Sequence, residues 1–126
     1  MASPRFGDSD AYFRALAAVD RAGIPPRYRG MLETRYSAPH HTITMAILAK
    51  AVGYKNSNAA NLHYGTLAHR IGEQLGITRA PLSDTYPNGF WGYVLMDWAK
   101  GPGAAGHSAF VMRPEMIAAI ERLRWP

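Results

Sequence analysis

The sequence predicts a mainly helical domain that also contains a β-hairpin. Through residues 1–76, apolar side chains recur at the three- and four-residue spacing of helices, and glycines or prolines separate these stretches. A β-prone aromatic stretch, a glycine-rich tip and a second apolar stretch follow, as expected of a hairpin. The chain has 126 residues, of which 48% are hydrophobic, so we assign 1–126 to a single domain with its own core.

Two helices are predicted in the first third of the chain. The segment Asp8-Ser9-Asp10 offers N-cap residues for a helix over 11–22, and Gly23 ends that helix. Pro25 and Pro26 follow, and since proline suits a first helical turn, a second helix is predicted over 27–36. Both stretches have apolar residues on one side, which indicates helices that pack against a core.

The third and fourth helices form a predicted helix-turn-helix unit between Thr42 and Gly76. A helix over 45–52 ends at Gly53, where glycine can take a positive φ angle, and a longer helix over 58–75 follows a short turn. The third helix is expected to bury Ile47, Leu48, Ala51 and Val52. The fourth helix is expected to bury a stripe at helical spacing: Ala60, Tyr64, Leu67, Ile71 and Leu75.

A second stripe on the fourth helix consists of small residues: Asn61, Gly65, Ala68 and Gly72. Glycine inside a helix is less favourable than alanine by about 1 kcal/mol. Two glycines seven residues apart therefore indicate that another helix or backbone crosses closely there.

The remaining elements complete the outline of a winged-helix-like helix-turn-helix domain with additional helices. A loop over 78–89 leads to a strand over 90–98, a flexible tip over 100–106 and a second strand over 108–112. A last helix is expected over 113–124.

The positive charge of the chain is concentrated in its middle. Residues 27–79 contain seven Lys or Arg against two Asp or Glu, which is the whole net charge of +5, and the two flanking segments are each neutral. A local basic field attracts polyanions. A solvated surface that is basic by chance is the alternative.

The polar face of the fourth helix is the main candidate for nucleic-acid binding, because the second helix of such a unit enters the major groove. With the core stripe buried, the opposite face carries Ala59, His63, Thr66, Arg70 and Glu73. The predicted DNA contacts around this helix are Lys55, Asn56, Asn58, His63, Thr66, His69, Arg70 and Arg79. The predicted phosphate contacts are Arg27, Arg29 and Arg35. An ordinary helical hairpin with a polar exterior is the alternative.

Two further segments are candidates for DNA contacts. Lys100, His107 and Arg113 flank the hairpin tip, which either follows a DNA backbone as a wing or has no binding role. Tyr86 and Pro87 lie in an aromatic turn that either stacks on unpaired bases or seals the core. Beside His69 and Arg70, this turn would complete a pocket for a modified nucleotide.

Several function classes are excluded or disfavoured. The absence of cysteine excludes disulfides and thiol catalysis, and the five histidines lack metal-site spacing, so we expect no metal, no cofactor and no catalysis. No apolar run approaches the roughly 20 residues that span a bilayer, and the N-terminus lacks the apolar core of a signal peptide. We therefore expect a cytoplasmic protein without membrane partners.

Two segments carry a resemblance to a known family. They are the run from Thr42 to Gly72, with its Leu48-Ala49-Lys50-Ala51-Val52-Gly53-Tyr54 centre, and the ending Met112-Arg113-Pro114-Glu115-Met116. Over about residues 11–125 the chain resembles the N-terminal DNA-reading region of bacterial HNH-type, modification-dependent restriction endonucleases. The resemblance implies a reader of methylated or phosphorothioated double-stranded DNA that targets a nuclease domain in the same or a partner chain.

The resemblance also bears on catalysis and on the alternative function. The chain contains no His-Asn-His nuclease motif, so cleavage by it is not expected. The alternative is a protein-interaction adaptor in a phage-defence or toxin–antitoxin system. Its partner surface would consist of the Gly65 and Gly72 stripe with three tryptophans, Trp91, Trp98 and Trp125. The oligomeric state stays open.

Overall fold

The computed structural model describes residues 5–83, 85–99 and 109–125. Within these ranges the chain is mainly helical with a small three-stranded antiparallel sheet. The helices are α1 (Ser9–Ala22), α2 (Pro26–Ser37), α3 (Met45–Ala51), α4 (Ser57–Gln74) and α5 (Pro114–Leu123). The strands are β1 (Thr42–Thr44), β2 (Met96–Trp98) and β3 (Ala109–Met112), and short 3-10 turns occupy Pro39–His41 and Trp91–Val94.

Short polar side chains start three of these helices, as the sequence predicts for α1. Asp8 accepts a hydrogen bond from the Ala11 backbone at the start of α1, and Thr44 and Asn56 do the same for α3 and α4. Each cap satisfies a backbone N–H that has no partner within the helix. Gly53 has a φ angle of 85°, which confirms its expected place after α3.

The sheet has the strand order β1-β3-β2. Thr42 pairs with Val111 on one side of β3, and Trp98 pairs with Phe110 on the other. The antiparallel pair of β2 and β3 confirms the predicted hairpin, whose tip lies outside the described residues. No sequence pattern indicates β1, because a strand of three residues is too short for an alternating pattern.

The strand predicted over 90–98 is wrong in its first half. The chain forms a 3-10 turn over Trp91–Val94 and becomes extended only at Met96. The Phe90 ring lies directly over Gly92, where an added Cβ would come within 2.4 Å of it, and packs edge-on against Tyr93. An aromatic run therefore turns back on itself here instead of extending.

The core stripe predicted for α4 is confirmed. Ala60, Tyr64, Leu67 and Ile71 are fully buried, and Leu75 packs half-buried against the core. On this side α4 contacts α1, α3 and the 3-10 turn Trp91–Val94. One side of α4 is thus fixed in the core, and the other is left for the site described below.

The inward face predicted for α3 is partly wrong. Leu48 is buried as expected, but Ile47 is 58% exposed and Ala51 is exposed, whereas Met45 and Ala49 are buried. Because α3 has only seven residues, it packs on α4 through a narrow face, and the residues beside that face remain in solvent.

Arg35 is fully buried between α2 and the sheet. Its guanidinium donates hydrogen bonds to the backbone oxygens of Ile43 (2.9 Å) and Phe110 (2.6 Å), and it lies 5.3 Å from the centre of the Tyr64 ring. In the described part of the chain it has no carboxylate partner. This placement corrects the phosphate contact predicted for Arg35, because no side of the guanidinium faces solvent.

Candidate nucleic-acid interface

The exposed side chains of α4, apart from Gln74 at its end, form one continuous stripe. Its members are Asn58, Leu62, Thr66, His69 and Glu73, and we call them the open face of α4. Their spacing of four, four, three and four residues keeps them on one side of the helix. The open face is rotated by about one residue from the prediction, which included His63 and Arg70 but not Leu62.

His63 lies on the flank of α4 that faces α2. Its Nδ1 shares a 2.8 Å hydrogen bond with the Tyr54 hydroxyl, and its ring centre lies 5.0 Å from that of Tyr28. Burial raises the pKa of Tyr54. Arg27 lies over the Tyr54 ring at 4.9 Å and is itself exposed. This cluster therefore holds Arg27 at the edge of the open face. His63 supports the cluster through its contacts with Tyr54 and Tyr28 and is not itself part of the open face.

Arg70 lies on the same flank, one turn nearer the end of α4 than Thr66. Its Nη2 donates a 2.9 Å hydrogen bond to the backbone oxygen of Gly23, in the connection between α1 and α2. The side chain is half-buried. Arg70 thus joins α4 to the α1–α2 connection, and it borders the open face without being part of it.

Three predicted residues come together at the start of α4. Lys55, Asn56 and Asn58 are all exposed there. The Asn56 side-chain oxygen accepts a hydrogen bond from the Ala59 backbone, which leaves its amide N–H groups directed elsewhere. A helix N-terminus with a lysine and two amides beside it can bind phosphate and can donate to base edges.

The pocket predicted from His69, Arg70, Tyr86 and Pro87 does not form in this arrangement. His69 stacks on Trp91, with ring centres 4.1 Å apart and planes 12° apart, and its Nε2 lies 3.7 Å from a Glu73 oxygen. Tyr86 instead stacks on Phe90 at 4.6 Å, and Pro87 is exposed beyond it. Trp91, the stacking partner of His69, is not among the predicted DNA contacts.

Gly72 makes room for Trp91 and could have revealed it. A Cβ at Gly72 would lie 2.8 Å from Trp91 Cζ3, so the close approach predicted for the small-residue stripe is confirmed here. At Gly65 the prediction is wrong, because an added Cβ would meet nothing within 4 Å. Gly72 lies three residues after His69 on the same side of α4, so the ring of Trp91 covers both residues.

This contrast gives a paired test on one helix. Gly72→Ala should lower the free energy of unfolding by about 1–3 kcal/mol, because Trp91 must move away from the new methyl group. Gly65→Ala should raise it by up to about 1 kcal/mol through helix propensity alone. Urea unfolding followed by tryptophan fluorescence measures both. Equal effects of the two substitutions would contradict the packing described for Gly72.

The other predicted contacts are scattered. Arg29 is half-buried against the Trp125 ring at 4.1 Å and lies 3.7 Å from Glu33, so it faces the end of α5. Arg79 is exposed in the loop after α4. Lys100 and His107 lie outside the described residues. Arg113, beside the hairpin, is buried and donates through Nε to the Tyr93 backbone oxygen.

The tryptophans of the alternative adaptor surface do not share one exposed face. Trp91 is half-buried on His69, Trp98 on Phe110 and Trp125 beneath Arg29. Each packs against a different part of the chain.

Comparison with protein-family models, curated proteins and solved structures gave no match. Across residues 5–83, 85–99 and 109–125, no group of three His, Asp or Glu side chains could hold a metal ion. No helix in these ranges is both long and apolar enough to cross a bilayer.

Proposed function

We propose that this chain is a winged helix-turn-helix module that binds double-stranded DNA through the start and open face of α4. The observation that carries the proposal is the mainly polar, solvent-exposed stripe on an 18-residue helix that follows α3 after a five-residue connection. Such a second helix fits the major groove and reads bases with its N-terminal part.

The order of elements supports the winged-helix arrangement. Strand β1 lies between α2 and α3, and it pairs with β3, so β3 occupies the centre of the sheet. In this order of elements, the segment between β2 and β3 corresponds to the wing. Lys100 and His107 belong to that segment and remain proposed DNA contacts.

The charges near α4 support a polyanionic partner. Arg27, Lys50 and Lys55 are exposed, and none has an ion pair in the described part of the chain. By contrast, Arg14 and Arg122 both pair with Asp10, where α1 meets α5. The cations around the start of α4 can therefore bind phosphate groups without breaking an ion pair.

The biological setting rests on the resemblance to HNH-type restriction endonucleases. On that basis we propose a non-catalytic reader of modified DNA, methylated or phosphorothioated, that targets a nuclease domain in the same or a partner chain. The stack of His69 on Trp91 places an imidazole of the open face against an apolar ring, which is one place for such a modification to lie.

A salt series tests DNA binding. Affinity for a 20-bp duplex, measured by fluorescence anisotropy, should fall steeply with salt. Lys55→Ala should weaken binding. It should also reduce the magnitude of the negative slope of log affinity against log salt by about one, as expected for one lost phosphate contact. Arg14→Ala is the matched control, because Arg14 lies on α1 and pairs with Asp10. Equal slopes for Lys55→Ala and the wild type would contradict this contact, and no measurable affinity at low salt would refute the proposed function.

A further inference from the structure

Leu62 is the one apolar member of the open face of α4, and its side chain is 68% exposed. It lies in the second turn, four residues after Asn58 and four before Thr66, so polar side chains border it along the helix. Leu82 is equally exposed at 69%, but it lies in the loop after α4. Single exposed leucines are common on protein surfaces, so the position of Leu62, and not its exposure, carries the inference.

The major groove offers one apolar group at the base edges, the C5 methyl of thymine. A 5-methylcytosine carries its methyl group at the same ring position. We propose that Leu62 contacts the C5 methyl group of a pyrimidine and so makes the domain selective for methylated pyrimidines, thymine or 5-methylcytosine. This inference rests on the proposed function, because it requires α4 to lie in the major groove.

The neighbours of Leu62 fit this contact. Asn58, one turn earlier, carries an amide that can bind N6 and N7 of adenine, the partner of thymine. Thr66 donates its hydroxyl proton to the Leu62 backbone oxygen at 3.0 Å, so that proton is not offered to a base. Leu62 thus lies between Asn58, whose amide suits adenine, and Thr66, whose hydroxyl is already bonded within the helix. On the open face, Leu62 is the only apolar side chain that a methyl group of a base can contact.

The experiment begins with selection of a bound duplex from a random-sequence pool made with unmodified nucleotides. Each thymine of the selected duplex is then replaced singly by deoxyuridine, which lacks only the C5 methyl group, and each cytosine by 5-methylcytosine. At one or two positions the wild type should lose about fourfold in affinity on removal of the thymine methyl, or gain about as much on methylation of cytosine, which is the effect of burying one methyl group. The position that responds identifies which pyrimidine is read.

Two variants make the assignment specific to Leu62. Leu62→Ala should abolish the response to the methyl group and leave the salt slope unchanged, because Leu62 carries no charge. Leu82→Ala should keep both the response to the methyl group and the salt slope of the wild type. Selection followed by equal affinity for all methylated and unmethylated duplexes would overturn the inference and leave DNA binding intact. Failure to select any duplex would overturn both the inference about Leu62 and the proposed DNA binding. A wild-type dimer that Leu62→Ala converts to a monomer would also overturn the inference, since a second copy would then cover Leu62.

Discussion

Arg35→Ala should lower the free energy of unfolding by about 3–5 kcal/mol, a large part of the 5–15 kcal/mol that stabilises a typical domain. The substitution removes a fully buried side chain and leaves a cavity. It also leaves the backbone oxygens of Ile43 and Phe110 without the guanidinium that bonds them. Since these oxygens belong to β1 and β3, the sheet should loosen first.

The matched variant is Arg35→Met, which keeps most of the side-chain volume and removes a buried charge that has no carboxylate partner in the described ranges. It should be more stable than Arg35→Ala, because the desolvation of the arginine is no longer required and the cavity is smaller. Urea unfolding measures both variants, and amide hydrogen exchange at β1 and β3 reports on the sheet. An Arg35→Ala protein within 1 kcal/mol of the wild type would show that Arg35 does not support the sheet in this way.

Thr66→Glu should weaken duplex binding by about a hundredfold while leaving the fold intact. Thr66 is exposed at the centre of the open face, and within the described residues its side chain hydrogen-bonds only to the Leu62 backbone oxygen of α4. A carboxylate there would face the phosphates and base edges of bound DNA, and like charges at an interface raise the binding free energy by several kcal/mol. Glutamate is also a better helix former than threonine, so stability should not fall.

Gln74→Glu is the control for this substitution. It adds the same charge to the same helix two turns later, at the last residue of α4. Because the recognition helix reads DNA with its N-terminal part, this variant should lose only a few-fold in affinity through long-range repulsion. Circular dichroism confirms the fold of each variant, and anisotropy measures binding. Equal losses for the two glutamates would place the DNA somewhere other than the centre of the open face.

Sequence patterns predicted the parts of the fold that depend on neighbours along the chain. The stripe from Ala60 to Ile71 gave the buried side of α4, and Gly53 gave the end of α3. The pairing of β2 with β3 followed from two β-prone runs around a glycine-rich tip. In each case the determining residues lie within a few turns of one another, so periodicity and glycine conformation are sufficient.

Features that depend on distant contacts were missed. Strand β1 exists because Thr42 meets Val111, a partner 69 residues away. Arg35 is buried for the same reason, since one of its acceptors is Phe110. The predicted open face is displaced by one residue because α2 covers His63 and the α1–α2 connection covers Arg70. The residues near α4 in the sequence do not indicate these contacts.

The most direct test of DNA binding through α4 is a nitrogen–proton NMR titration of the labelled protein with a 20-bp duplex at low salt. DNA binding by this face predicts the largest amide shifts at Lys55, Asn58, Leu62 and Thr66, with the α1–α5 surface around Arg14 and Arg122 little changed. Shifts confined to that α1–α5 surface, or no shifts at equimolar duplex, would contradict it.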